Sequence, residues 1–236
     1  MSQARIILLF FSIFLPISKA KSQTADEIIQ KHIEAIGGYE KIKAIRTLTC
    51  EGTNKSRMLE TSFKKYVIQD SASCTEGTVN GRHSKGMVSK NNGWICVPGA
   101  SRDSFHSKSK YEIKEEQFAL DIHGPFIDYI EKGNKIKYLR VEKINNIDCF
   151  KIKLTRRDKS VFIYYFDRAS YLIKRIEWFW PNANQSVLTY DYTYKAFDNE
   201  YIFVARWSRL EDGVITTYNK YVINPEIDRS IFNPCK

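Results

Sequence analysis

Residues able to do acid–base, nucleophilic or metal chemistry are scattered along this chain rather than grouped. Four histidines stand at His32, His83, His106 and His123, with no HExxH and no His-x-His pair to suggest metal ligation. His32 falls at the edge of an apolar helical stripe, where a hydrogen-bonded core histidine is the simpler expectation than a ligand. Carboxylates at Glu115, Glu116 and Asp121 offer an acid–base pair of the kind glycosidases use, but a chain with 27 Asp and Glu offers many such pairs. A G-x-S-x-G elbow, a Walker-type loop and a G-x-G-x-x-G turn are all missing. Five cysteines, Cys50, Cys74, Cys96, Cys149 and Cys235, contain no C-x-x-C, against redox catalysis and a zinc knuckle alike. Their odd count leaves a thiol over even in an oxidising compartment, and spacing does not reveal any pairing. The expectation is a protein without catalytic residues, metal or cofactor.

The positive signal is aromatic. The chain carries 14 Tyr, 14 Phe and 4 Trp in 236 residues. Phe162-Ile163-Tyr164-Tyr165-Phe166 and Trp178-Phe179-Trp180 place large apolar groups on both faces of neighbouring strands. Core filling explains any single one of these. Together they also suit an apolar pocket for an acyl chain, where burial contributes roughly 0.8 kcal/mol per CH2 group.

The elements that must position such a pocket are legible from periodicity. Thr24-Ala25-Asp26-Glu27 has the form of a capping box, and Ile28, Ile29, Ile33 and Ile36 follow at helical spacing. Gly37-Gly38 ends that helix, and Tyr39 to Ile45 reads as a second, shorter one. Strand segments then surround Leu48-Cys50, Phe63-Ile68, Gly86-Ser89 and Trp94-Val97, the last two joined by the hairpin signal Asn91-Asn92-Gly93. Tyr111 to Phe118 reads as helix, Gly124-Pro125 interrupts, and Phe126 to Ile130 reads as another helical turn ended by Gly133.

From Lys135 onward apolar and polar residues alternate, most plainly at Phe150, Ile152 and Leu154 and at Tyr190, Tyr192 and Tyr194. Turn signals at Asn145-Asn146, Arg157-Asp158, Asp167-Arg168, Pro181-Asn182, Asp198-Asn199 and Asp212-Gly213 divide this half into seven meandering strands. The fold class expected is α+β: a large antiparallel meander that curls with strand twist, its concave face covered by short helices. So few helices cover so wide a face incompletely, which leaves an apolar cavity between helix and sheet.

Composition excludes disorder (43% hydrophobic), and 11 Gly with 6 Pro exclude collagen-like material. No repeat of 20–50 residues is visible. Arg5, the apolar run Ile6 to Ile17 and the small residues around Ser18-Lys19-Ala20-Lys21-Ser22 form a signal-peptide pattern. Twelve residues are too few to span a bilayer, which takes about 20, so residues 1–22 are expected to be cleaved near Ser22 and 23–236 to form a single exported domain. Removing them deletes Arg5, Lys19 and Lys21 and no acid, so the formal charge falls from +10 to +7. A basic exported protein favours anionic partners; export and the scatter of the basic doublets argue against nucleic acid.

Four passages carry a family resemblance. They are the opening Thr24 to Gly38, the hairpin Val88 to Pro98, the stretch Gly124 to Gly133 and the terminal Ile223-Asn224-Pro225-Glu226-Ile227-Asp228. Together the chain resembles exported lipoprotein-sorting proteins of Bacteroidetes-like bacteria, relatives of the periplasmic carrier LolA. The resemblance implies an unclosed β-barrel with helices in its mouth, whose cavity shields lipoprotein acyl chains in the periplasm. It implies acylated lipoprotein or other lipid-like cargo, a membrane-associated donor or acceptor protein, and outer-membrane lipoprotein sorting without chemistry. Two departures accompany it: Gly93 and Trp94 are adjacent, and the arginine that pins the carrier's helical lid has no matching position, Arg57 being only nearby. The cavity-lining residues expected are Phe150, Ile152, Leu154, Ile176, Trp178, Leu188, Tyr190, Tyr192, Phe203 and Trp207, with Trp94 near the mouth. The alternatives are an envelope sensor or interaction module with a filled cavity, and a hydrolase or glycan-binding protein with polar groups converging around Glu115, Asp121 or His123.

Overall fold

Two capped helices open the structure. The computed structural model describes residues 23–79, 81–97, 105–179, 187–197 and 200–234. The expected signal peptide, the turns at Pro181-Asn182 and Asp198-Asn199, and Cys235 lie outside those residues. Helix α1 (Ala25–Ala35) starts with the expected capping box: the Thr24 hydroxyl accepts from the Glu27 N–H at 3.2 Å, and the Glu27 carboxylate accepts from the Thr24 N–H at 3.0 Å. Its stripe of Ile28, Ile29, His32 and Ile33 is buried. Gly37 (φ +132°) and Gly38 (φ +91°) then turn the chain through backbone space that other residues avoid, into α2 (Tyr39–Lys43).

Strands β1 (Thr47–Lys55), β2 (Glu60–Ile68), β3 (Ala72–Val79), β4 (Arg82–Ser89), β5 (Gly93–Cys96) and β6 (Phe105–Ser107) form a first meander. Helix α3 (Lys110–Glu116) and a 3-10 turn (Gln117–Leu120) follow. The second meander is the expected seven strands: β7 (Lys135–Ile144), β8 (Ile147–Thr155), β9 (Val161–Asp167), β10 (Ile173–Phe179), β11 (Val187–Phe197), β12 (Tyr201–Arg209) and β13 (Ile215–Ile223). A 3-10 turn at Arg229–Phe232 comes last.

The described strands make one antiparallel sheet, in the order β6-β5-β4-β3-β2-β1-β13-β12-β11-β10-β9-β8-β7. No ladder joins β6 to β7, so the barrel is unclosed, as expected. Register shifts at Glu51/Gly52, Tyr138/Arg140, Ile173/Arg175 and Thr193/Tyr194 add local twist and bend the sheet around its inner face.

Two readings of the sequence differ from the structure. Strand β3 was not marked by alternation, because its residues Ser73, Thr75 and Thr78 are polar; it is strand because β2 and β4 pair with it on both sides. Phe126 to Ile130 is not helical but a succession of turns, with Asp128 at φ +51° and Gly133 at φ +73°. Left-handed residues cannot propagate a helix. Phe126 and Ile127 are nevertheless almost fully buried, so this loop acts as a plug.

The two meanders meet at a single ladder, β1 with β13. Asn224, in the left-handed region at φ +52°, secures its end. Its carboxamide oxygen accepts from the N–H groups of Arg46 (2.7 Å) and Thr47 (3.3 Å), and its amide donates to the Ala44 carbonyl at 3.2 Å. Thr47 Oγ1 donates to the Pro225 carbonyl at 2.7 Å. Mid-seam, Gly52 sits on the bulge, where an added Cβ would lie 2.2 Å from the Thr217 carbonyl oxygen and 2.9 Å from the Phe63 ring. Backbone cannot yield as a side-chain tip can. Gly52→Ala is therefore expected to destabilise the fold by about 2 kcal/mol or more, read from urea unfolding; a loss under about 0.5 kcal/mol would show that the seam tolerates crowding.

Candidate functional site

Period-two alternation gives β8 and β9 two distinct faces. Inward, Phe150, Ile152, Leu154, Phe162, Tyr164 and Phe166 meet the isoleucines of α1 and α2 and the plug residues Phe126 and Ile127 in the main core. Outward, Cys149, Ile163 and Tyr165 form a small cluster with Ile144. The expectation that aromatic groups occupy both faces of this region holds for Phe162 to Phe166.

Two recesses remain on the inner face, one on either side of Gly124-Pro125. The larger, about 250 Å³, is bounded by Phe118, Pro125, Arg156, Phe162, Tyr164, Ile176, Trp178, Tyr190 and Tyr192. Its floor is a cage of three rings: Phe162 stacks on Trp178 at 5.5 Å, and Phe118 stands edge-on to both at 5.6 and 5.5 Å. Burial pushes the phenols of Tyr164, Tyr190 and Tyr192 above their ordinary range, so they stay neutral hydroxyls. The smaller recess, about 170 Å³, lies under α1 and α2 against Ile173, Tyr194 and Phe203. Drug-sized ligands usually occupy roughly 300–1,000 Å³, so the concave face is largely filled and neither recess alone is large.

The proposed lining residues divide by position. Ile176, Trp178, Tyr190 and Tyr192 come together around the larger recess, and Phe203 borders the smaller. Phe150, Ile152 and Leu154 are sealed in the core. Leu188 faces Trp178 across the β10–β11 ladder, and Trp207 packs edge-on to Tyr190 at 5.6 Å. Trp94 lies on the other limb of the sheet, buried beside Phe105, Lys108 and Ile113. Arg57 is exposed in the turn between β1 and β2. Sequence reasoning placed Phe162 and Tyr164 in an aromatic run suited to an apolar pocket but not among the lining residues, and it missed Phe118, Pro125 and Arg156. Phe162 and Tyr164 share the alternation of Phe150 to Leu154 across the ladder, so the same pattern could have found them; Phe118, on a 3-10 turn, carried no periodic mark.

The polar candidates are held separately. His123 Nε2–H donates to the Ile45 carbonyl at 2.9 Å, and Asp121 binds Lys132 through both oxygens at 2.9 and 2.7 Å. Glu115, on α3, has a shielded Oε2 with no hydrogen-bond partner, and burial lifts its carboxyl to about 7. These three groups do not line a common recess. No group of three His, Cys, Asp or Glu among the described residues is placed to hold a metal. Cys50, Cys74, Cys96 and Cys149 are all buried. No helix among the described residues is long and apolar enough to cross a membrane.

An open antiparallel barrel with its mouth plugged by short helices and a turn-rich loop defines the class of fold. It is the LolA-type fold. A LolA superfamily protein from Nitrosomonas europaea superposes with a TM-score of 0.56 at 14% identity, over 90% of this chain and 99% of that one. A putative outer membrane lipoprotein-sorting protein domain from Vibrio parahaemolyticus gives 0.53 at 15% identity, over 88% and 95%. A DUF1329 family protein from Desulfovibrio piger gives 0.57 at 12% identity, over 90% and 98%. No family model matches the chain, and no curated protein matches it.

His32 ties the helical cover to the sheet half of the molecule. It lies edge-on to Phe126 (5.8 Å) and Phe166 (5.0 Å), and its Nδ1 is 2.9 Å from the Tyr171 carbonyl, which can only accept, so Nδ1 carries the proton. Burial lowers its pKa from 6.5 to about 4. Below pH 6.5 the unfolded chain takes up a proton that the folded one refuses. The stability His32 supports is thus complete above that pH and is lost as pH falls toward 4, by about 3 kcal/mol in all. His32→Asn should flatten this acid slope in urea titrations between pH 7 and 4; an unchanged slope would assign the acid sensitivity to other groups.

Proposed function

We propose that the protein is a periplasmic binder or carrier of acyl chains, of the kind that shields lipoprotein lipid in outer-membrane lipoprotein sorting. The domain at 23–236 would follow a cleaved signal peptide and perform no chemical step. The observation that carries this reading is the larger recess, an aromatic cage on the inner face of a LolA-type barrel. Its neutral tyrosine hydroxyls and stacked rings suit an apolar chain with few polar atoms. The likeness to solved LolA superfamily structures supports it at the level of fold. The cargo would be an acylated lipoprotein or similar lipid, passed between membrane-associated donor and acceptor proteins.

A second reading rests on the small size of both recesses. A concave face filled by its own side chains fits an envelope sensor or interaction module that binds protein rather than lipid. The two readings part on uptake of a palmitoylated peptide, followed by native mass spectrometry and by equilibrium binding of a fluorescent analogue. The carrier reading expects one-to-one uptake that Trp178→Ala weakens at least tenfold. Absence of uptake by the wild-type protein would favour the interaction module.

A further inference from the structure

The larger recess shares two of its lining residues with a second space of different character. Arg156 and Asp121 line both it and an adjoining polar cleft of about 560 Å³. The charges around that cleft do not cancel. Lys132 spends its three protons on the two Asp121 oxygens and the Gly124 carbonyl (2.7 Å). Asp158 accepts from the Ser160 N–H (3.0 Å) and hydroxyl (2.6 Å), lies 3.9 Å from Lys114 outside the cleft, and shares the field of Arg156 without a direct ion pair. Among the described residues, Arg156, Arg157 and Lys90 have no ion-pair partner, and Asp70 is the lining carboxylate that likewise has none. Over the whole lining, Lys90, Lys132, Arg156 and Arg157 face Asp70, Asp121 and Asp158, a surplus of one positive charge.

Arg156 stands at the junction. Its guanidinium carbon is 4.2 Å from the centroid of Phe118, the same ring that closes the aromatic cage. A planar cation anchored on the wall of an apolar recess, with a cleft of net positive charge behind it, matches a carboxylate or phosphate joined to a hydrocarbon chain. A neutral glyceride would leave those cations without a partner. We infer that the ligand is an amphiphile with one anionic group: its chain lies against Phe162 and Trp178, and its carboxylate or phosphate pairs with Arg156, with Arg157 and Lys90 at the rim. This rests on the acyl-binding reading and adds the headgroup to it.

Equilibrium binding below micellar concentrations tests it with four probes: hexadecanoate, hexadecyl phosphate, monopalmitoylglycerol and inorganic phosphate. At least one of the two anionic amphiphiles should bind ten times or more tightly than monopalmitoylglycerol, and the tighter of the two identifies the headgroup. Inorganic phosphate should bind at least a hundredfold more weakly. Arg156→Gln should lower the anionic-to-neutral ratio at least fivefold, Arg156→Lys should retain more of it, and Lys90→Gln, an exposed change that leaves the fold intact, should lower it two- to threefold. Equal binding of anionic and neutral chains would overturn the headgroup site while leaving the acyl reading standing. Phosphate binding as tightly as the amphiphiles would also overturn it, in favour of a plain anion site. Failure of every chain-bearing probe would bring down both.

Discussion

The concavity of this molecule depends on one antiparallel seam. Two meanders, each built from local hairpins, become a single curved sheet because β1 pairs with β13. The partners are about 170 residues apart in the chain, so this contact costs loop-closure entropy that the hairpins do not. Asn224 offsets part of that cost at one end by satisfying three backbone groups of the segment entering β1. At the bulge, Gly52 lets β13 and Phe63 approach more closely than any side chain would allow. Both residues make the seam tight enough for the sheet to wrap rather than lie open.

Once the sheet curls, its inner face has to be covered; among the described residues, α1, α2 and the segment from Phe118 to Asn134 cover it around β8 and β9, and α3 packs Ile113 against Val88 of β4. The cover is tied to the rest of the protein by His32 to the Tyr171 carbonyl, His123 to the Ile45 carbonyl and the Ile122 N–H to Gln69, while Lys132 bonded to Asp121 and Gly124 braces the plug internally. Between these points the fit is imperfect. The recesses flank Gly124-Pro125, where a positive-φ glycine and a proline leave little side chain to fill the gap. The candidate site is thus a consequence of where the plug is narrow.

Much of this architecture was readable before any coordinates. Alternation in several segments from Lys135 onward, divided by turn signals, marked the seven strands of the second meander, and the Thr24–Glu27 capping box and the Asn91-Asn92-Gly93 hairpin are where they were expected. What escaped was set by tertiary context. Strand β3 is polar and owes its conformation to its neighbours. The plug read as helix because Phe126 and Ile127 are apolar, while Asp128, a residue type that tolerates the left-handed region, turns the chain there. Alternation also selects a face without saying which part of it is covered: Phe150, Ile152 and Leu154 share the inner face with Trp178 and Tyr192, yet α1 and the plug bury the former and leave the latter beside a gap. Arg156 stands next to Arg157 in the sequence, and its position over Phe118 sets it apart.

Among the described strands, this unclosed barrel has two edge strands without a ladder on their outer side, and the longer, β7, is ten residues. Such an edge is a ready template on which a foreign strand can polymerise. Here Lys135, Lys137, Arg140 and Lys143 stud it with exposed cations, and the register shift after Tyr138 breaks its straight run. An open barrel would otherwise invite fibrillar stacking, and this rim of exposed charge lets it remain ajar without becoming adhesive.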